Sequence, residues 1–452
     1  MPIILPPFPR NPEMTLPFRL SAFAGNRLPD SIALYQLTDE PDVPSCHVYM
    51  EAQVFTPDSR RFVLHRSAHP HGSDWRDPAH RYLLCDLADG GSIRPLTDET
   101  GVTAPAVSPD GTTFYYFVNE IAEKGRLRFR KLDLATGRRD EISVLELPGG
   151  PSPSFYPLST ISSDGRHIAI ATSLTVPALR PWLDNALWIF DTATGESRIA
   201  LRGPDFCNLH PQYSRNPARP RTIMVQHNHG SRHLALSADH GGGYLALGHI
   251  ASLDAEGNRL VRAIRAGANP DAANTGYGID LHVIEDDGTG WRTLPVGRDG
   301  VEFCQGHQCW VGKTDRVISS TLLFQTPSTA HQELVEMEWF DGAVHFGNRA
   351  AGGMRNVLTR EVRPPHFLHF ATDAAGRRIV SDYEADNGEW HLYVGELGDF
   401  GKPATLRRIL NLGPRTASPW HPHPFLSPDG RWAFFNSSVT GQLQAYAVAL
   451  EA

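Results

Sequence analysis

A short turn signature returns along the chain at a nearly constant interval, and it restricts the fold more than any other feature. It reads TPDS at 56–59, SPDG at 108–111, SSDG at 162–165 and SPDG at 427–430, with looser copies SRNPAR at 214–219, GKTD at 312–315 and TDAAG at 372–376. Each close copy precedes a β-prone run, such as TFYYFV at 113–118, HIAIA at 167–171 and WAFF at 432–435, as a hairpin turn between strands requires. Asp58, Asp110 and Asp164 are 52 and 54 residues apart, and the next turn falls near 216. That interval is about one propeller blade. The step from there to Asp315 is 99 residues, one period plus an insertion, and the last two steps, through about 375 to Asp429, are 60 and 54. Seven turns predict an all-β chain: a seven-bladed β-propeller of four-stranded antiparallel blades.

A second signature agrees. CDLADG at 85–90, LDLATG at 132–137 and FDTATG at 190–195 sit at a similar offset after the first turn, so they are expected to end outer strands. Sustained helical periodicity is missing, so few helices are expected. The repeat also explains how 452 residues form one unit when a chain this long ordinarily splits into domains. The reading is a Pro-rich extended arm over 1–30, then a propeller over 31–452 with an insertion at about 230–276, where Gly and His are dense.

A formal charge of -8 argues against nucleic acid and acidic membrane surfaces as partners, both of which call for a basic face. No window reaches the length of a membrane span, and the first 20 residues lack the pattern of a secretion signal. The five cysteines, at 46, 85, 207, 304 and 309, form no CxxC pair, which fits a reducing compartment. The expected location is cytoplasmic.

Equivalent positions in a propeller surround one axis. Eight residues before each turn Asp, near the start of the innermost strand, stand Met50, Val102, Tyr156, His210 (with Ala218 as the turn equivalent), His307, Phe367 and His421. Three of seven are histidine, with His366 and His369 flanking Phe367 and His47 close to Met50. In His421-Pro422-His423-Pro424 the prolines hold the backbone extended, so both imidazoles point the same way. With His307 they make three nitrogen donors and an open position, the pattern of a catalytic or substrate-binding divalent metal, for which zinc, nickel, iron and manganese are all suitable. Positions seven to nine after each turn Asp reach the same mouth and include His65, His227, Asp382 and Asn436. His227, on the strand entering the insertion, is the candidate general base.

At these residues the chain resembles the oligogalacturonate lyase family, polysaccharide lyase family 22. The matching segments span the propeller: Leu37-Thr38, Cys46-His47 and Phe55-Thr56; Leu209-His210-Pro211 with Tyr213; 224–227; Gly306-His307-Gln308-Cys309-Trp310; His369 with Gly376 and Asp382; and His421-Pro422-His423-Pro424 before SPDG. The resemblance implies β-elimination of an oligogalacturonide, manganese held by His307, His421 and His423, and His227 as Brønsted base. His210, His369 and His47 are then expected to contact the sugar. Two positions depart from the family: Ser418 stands where it has a glutamine ligand, and Asn228-His229 follow the base in place of Glu-Gly.

Two other readings compete. A relative acting on a glucuronate-containing oligosaccharide fits the insertion and Ser418, and a non-catalytic binding platform of the TolB or WD-repeat kind shares the SPDG turns. A peptidase propeller is disfavoured, because the chain has no GxSxG elbow.

Overall fold

The hydroxyl–carboxylate pair in each close copy of the turn builds the same local structure. In the computed structural model Thr56, Ser108, Ser162 and Ser427 donate to Asp58, Asp110, Asp164 and Asp429 over 2.5–2.6 Å. Each Asp also accepts the main-chain N–H two residues on, at 3.0–3.1 Å, an Asx turn that reverses the chain between strands. The structure describes residues 33–66, 77–147, 155–174, 184–203, 206, 209–229, 278–296, 302–323, 332–338, 355–362, 366–414 and 421–450. The arm at 1–30 and the insertion at about 230–276 lie outside them.

These turns join the first two strands of seven antiparallel blades. From the axis outward, blade 1 is Ser45–His47, Arg61–Arg66, Arg81–Asp86 and Ser92–Pro95; blade 2 is Val102–Val107, Thr113–Glu120, Arg126–Asp133 and Arg139–Glu146. Blade 3 is Phe155–Ile161, His167–Leu174, Asp184–Asp191 and Ser197–Gly203; blade 4 is Gln212–Tyr213, Thr222–His229, Gly278–Glu285 and Arg292–Thr293. Blade 5 is Glu302–Trp310, Arg316–Leu323, Gln332–Glu338 and Arg355–Val357; blade 6 is Phe367–Thr372, Arg378–Glu384, Glu389–Glu396 and Thr405–Pro414. Blade 7 takes Phe425–Leu426, Trp432–Ser437 and Gln444–Ala449 from the end of the chain and Ala33–Gln36 from its beginning. The second signature does join third to fourth strands, closed by main-chain bonds from Gly91 to Asp86, Gly137 to Asp133 and Gly195 to Asp191. One four-residue helix, Ile121–Lys124, appears among the described residues, and none of their helices is long and apolar enough to cross a membrane.

Neighbouring turns also lock onto each other. Asp429 N donates to Ser59 Oγ at 3.0 Å, tying blade 7 to blade 1, and Asn216 donates to Asp315 at 2.8 Å, tying blade 4 to blade 5. Gly111, at φ +74°, presses on the turn of blade 1: a Cβ there would lie 2.6 Å from Pro57 Cδ. The chain's apolar side chains bury themselves between blades. Phe62, Phe425 and Phe434 form one such cluster between blades 1 and 7, with Phe62 and Phe434 centroids 4.8 Å apart.

His47, expected at the mouth, belongs to that cluster instead. Its ring sits 4.9–5.8 Å from the three phenylalanines, and Nε2 is 3.0 Å from Tyr446 O. It lies on the ladder to the second strand, opposite Leu64, where alternation aims it between blades. Burial pulls its pKa down to about 3.

Two expectations follow. Gly111→Ala should destabilise by at least ~1 kcal/mol more than Gly137→Ala in chemical denaturation. Both incur the left-handed penalty of ~1–2 kcal/mol, but Gly137 has nothing within 4 Å of a new Cβ, so equal losses would deny the turn-to-turn contact. For His47, the unfolded chain takes up a proton near pH ~6.5 that the folded chain refuses until about pH 3. Its contribution to stability is therefore complete above pH ~6.5 and declines as pH falls through that window, by up to ~1.4 kcal/mol per pH unit. His47→Gln should flatten this acid-side loss, and an unchanged slope would mean that the ring is not buried neutral.

Candidate functional site

In every blade the residue that opens the turn donates its main-chain N–H to a carbonyl across the hairpin. These residues are Thr56, Ser108, Ser162, Ser214, Val311, Asp373 and Ser427. Four positions before them stand Ala52, Ala104, Leu158, His210, His307, His369 and His423. Blades 4 to 7 thus each place a histidine at one equivalent point of the innermost strand. This corrects the alignment drawn from the sequence. Asn216, not Ala218, takes the turn-Asp role in blade 4, accepting from Ala218 N at 3.0 Å, and blade 5 opens its turn at Val311, so Asp315 is not its equivalent.

The innermost strands are irregular at this level. Pairing slips between Thr103 and Ala106, Phe155 and Ser159, Cys304 and Gln308, and Phe367 and Phe370. A bulge leaves residues unpaired and re-aims their side chains. In blade 6 it leaves Phe367 in the core and carries His369 into the histidine group. Ala104, His210 and His423 have φ of 51°, 42° and 45°, and each precedes a proline. Such left-handed geometry costs ~1–3 kcal/mol at a non-glycine residue and persists only when its surroundings enforce it.

The tightest group comprises His369, His421 and His423, whose ligand atoms all lie within 4.8 Å of one another. His307 packs on His369 at 4.3 Å between ring centroids. Of the three histidines expected to hold an ion, two are therefore in the tight group, and the third abuts it through His369. Tyr49, from blade 1, presents its ring edge-on to His423 at 4.9 Å, and its ring lies 6.1 Å from His369 and 6.4 Å from His210.

Three of the imidazoles have a clear support. Asp382, fully buried on the second strand of blade 6, lies 2.8 Å from His369 Nδ1 and also accepts His369 N at 2.7 Å. That leaves Nε2 as the donor atom turned to the other histidines. Burial, reinforced by His421, holds the His369 pKa well below its usual value, so the ring is neutral and its lone pair is available. Burial raises Asp382 to about 7. Glu51 of blade 1, 3 % exposed, lies 2.8 and 3.0 Å from Nδ1 of His210 in blade 4 through its two carboxylate oxygens. Trp390 packs against His421 with its ring tilted by 37°, at 5.3 Å between centroids.

Three buried glutamines brace blades 4 and 5. Gln226 Nε2 donates to Gly306 O at 2.6 Å and to Gln308 Oε1 at 2.9 Å. Gln212 Nε2 donates to Gln308 O at 2.7 Å. The bonds fix the bulge that carries His307. His227 follows Gln226 on the strand Thr222–His229, opposite Asp280; the side chains of 227–229 lie outside those described, as does Ser418. His65, of the set read after the turns, pairs with Cys46 at 2.7 Å. Tyr49 and Glu51 were missed by the sequence reading, although they flank Met50, the position it selected in blade 1.

The donor set suits a divalent cation. Nitrogens at ~2.1 Å from an ion in tetrahedral array are ~3.4 Å apart, so the ligand atoms, now within 4.8 Å of one another, would close slightly around it. The arrangement in which a carboxylate backs a ligating imidazole is the usual outer support of such sites.

No protein-family model matches the chain, and no curated protein matches it in sequence. Among solved structures it is similar to an oligogalacturonate lyase in complex with manganese, with a TM-score of 0.60 and 19 % identity over 92 % of this chain and 93 % of that one. It is equally similar in shape to an oligogalacturonate lyase from Vibrio parahaemolyticus, with a TM-score of 0.60 and 16 % identity over 92 % and 93 %. At these identities the likeness is one of fold, and over nearly its whole length this chain is a seven-bladed propeller of the kind those lyases form.

Proposed function

We propose that the protein is a carbon–oxygen lyase that cleaves short, oligogalacturonide-like uronic-acid oligosaccharides by metal-assisted β-elimination, leaving a 4,5-unsaturated uronide. The observation that carries this reading is the axial meeting of His369, His421 and His423, with Asp382 behind the first, in a fold shared with lyases of that substrate class. These three would hold the ion, with His307 beside them. Manganese is the first choice because one of the similar structures is a manganese complex.

When bound, a divalent cation supplies positive charge at the sugar carboxylate, which lowers the cost of forming the enolate. The residues of the chain do the remainder. Asp382 fixes the His369 tautomer. Glu51 holds Nδ1 of His210 and so presents Nε2 as an acceptor for a sugar hydroxyl. Tyr49 packs edge-on against His423 and limits how its ring can turn. His227 is the proposed base: a neutral imidazole with a pKa near ~6.5 can remove the C5 proton at neutral pH once within hydrogen-bond reach. The electron pair released forms the C4–C5 double bond as the C4–O4 bond breaks, and O4 leaves with a proton from water.

Incubation with a panel of galacturonate- and glucuronate-containing oligosaccharides should give the ultraviolet absorbance of an unsaturated uronide on at least one of them. A chelator should abolish it and added divalent metal restore it. His369→Ala and His423→Ala should lose both bound metal and ~10²-fold or more of turnover, whereas His227→Ala should lose turnover and keep the metal. No unsaturated product across the panel would overturn the lyase reading and favour a binding platform. Asp382→Asn should weaken metal affinity by ~10–100-fold, with activity recovered at high metal concentration; unchanged affinity would remove Asp382 from the metal's support.

A further inference from the structure

The axial channel does not end at the histidines. Toward the turns it opens into a cavity of about 270 Å³ to which all seven blades contribute, among them Gln53, Pro109, Ser163, Arg215, Lys313 and Asp373. Most polar side chains on this wall are already committed to the protein. Gln53 bonds to Thr160 and to both main-chain polar atoms of Ile161. Asp373 accepts from the N–H groups of Arg377 and Arg378.

Arg215 is different. Its Nη2 donates to the main-chain carbonyl of Glu51 at 3.3 Å, while Nε is buried and has no hydrogen-bond partner. Among the described residues it forms no ion pair, although other arginines of this chain, such as Arg221 with Asp286 and Asp287, do. The Glu51 carboxylate, which would be its natural counter-charge, is turned to His210. Enclosure by protein on the sides away from the cavity pulls the Arg215 pKa down to about 10, a sign of a cation held without compensation. Lys313, exposed, adds a second positive charge to the lining. A guanidinium is a planar fork suited to carboxylate and phosphate oxygens.

We propose that this cavity is a second binding site, separate from the histidine group, for a small oxyanion, a carboxylate or phosphate compound no larger than one sugar unit. The volume lies just under the usual range of ligand pockets, ~300–1,000 Å³, which sets the size limit. Glu51 connects the two sites, with its carboxylate on His210 and its carbonyl on Arg215. An oxyanion that draws the guanidinium away from that carbonyl acts on the residue that orients His210.

Calorimetric titration of the full-length protein with galacturonate, acetate and inorganic phosphate, in a buffer without other oxyanions, tests the proposal. At least one should bind saturably at one site per chain, and the sugar acid, the bare carboxylate and the phosphate arms identify the source of the oxyanion. Arg215→Gln should weaken that binding tenfold or more and Lys313→Glu several-fold, while His423→Ala should leave it unchanged. Absence of saturable binding, undiminished binding in both charge variants, or binding lost in His423→Ala would overturn it. Should Arg215→Gln fail to fold, Lys313→Glu, at an exposed side chain, carries the same test. Because binding is read without turnover, failure here leaves the lyase proposal standing, and failure of the lyase proposal leaves this one.

Discussion

Ring closure is the constraint on which everything at the axis depends. Ala33–Gln36 adds to Gln444–Ala449 with Ala33 opposite Ala449 and Gln36 opposite Tyr446, so the last blade is completed by the first described strand. A propeller left open could splay, and residues hundreds of positions apart would lose their common centre. The turn ring strengthens the same closure, since Ser59 and Asp429 meet across 370 residues of sequence. Tyr49 on blade 1 can therefore pack against His423 on blade 7. Backbone pairing at the rim becomes side-chain geometry at the middle.

The parts of this architecture that are local in the chain were legible in the sequence. A Ser or Thr two residues before an Asp carries its own turn chemistry, and four such signals with three looser copies at a blade-length interval leave one fold. His421 and His423 were legible as a pair because their prolines sit beside them, but not in the extended form expected: His423 takes a left-handed backbone at φ 45°. His369 was placed on the rim as a sugar contact, whereas its ring lies in the tight group. The difference is a bulge between Phe367 and Phe370, and spacing does not reveal bulges, which depend on what the opposing strand and the axis impose. Glu51 and Tyr49 belong to no motif; only assembly of the ring shows that a blade 1 carboxylate meets a blade 4 imidazole. His47 fell the other way, since proximity to the mouth in sequence said nothing about which face of the strand it occupies.

Burial at the axis keeps His369 unprotonated. Burial disfavours imidazolium at His369 and also disfavours charge at Asp382, so the pair rests near neutrality. Arrival of a cation at the outer nitrogens would reverse that preference for the carboxylate, because the ion's own charge dominates the local field. Glu51 and Arg215 show the opposite arrangement: a carboxylate and a guanidinium on the same short stretch of channel, each turned to a different partner.

One further consequence comes from the positions that are not histidine. Counting around the axis, blades 4 to 7 supply imidazoles while blades 1 to 3 supply Ala52, Ala104 and Leu158, all buried. Sevenfold repetition alone would leave a guest free to sit in several rotated poses of similar energy. With imidazoles supplied from one side only, and the equivalent residues of blades 1 to 3 packed into the clusters between blades, that rotational degeneracy is lifted.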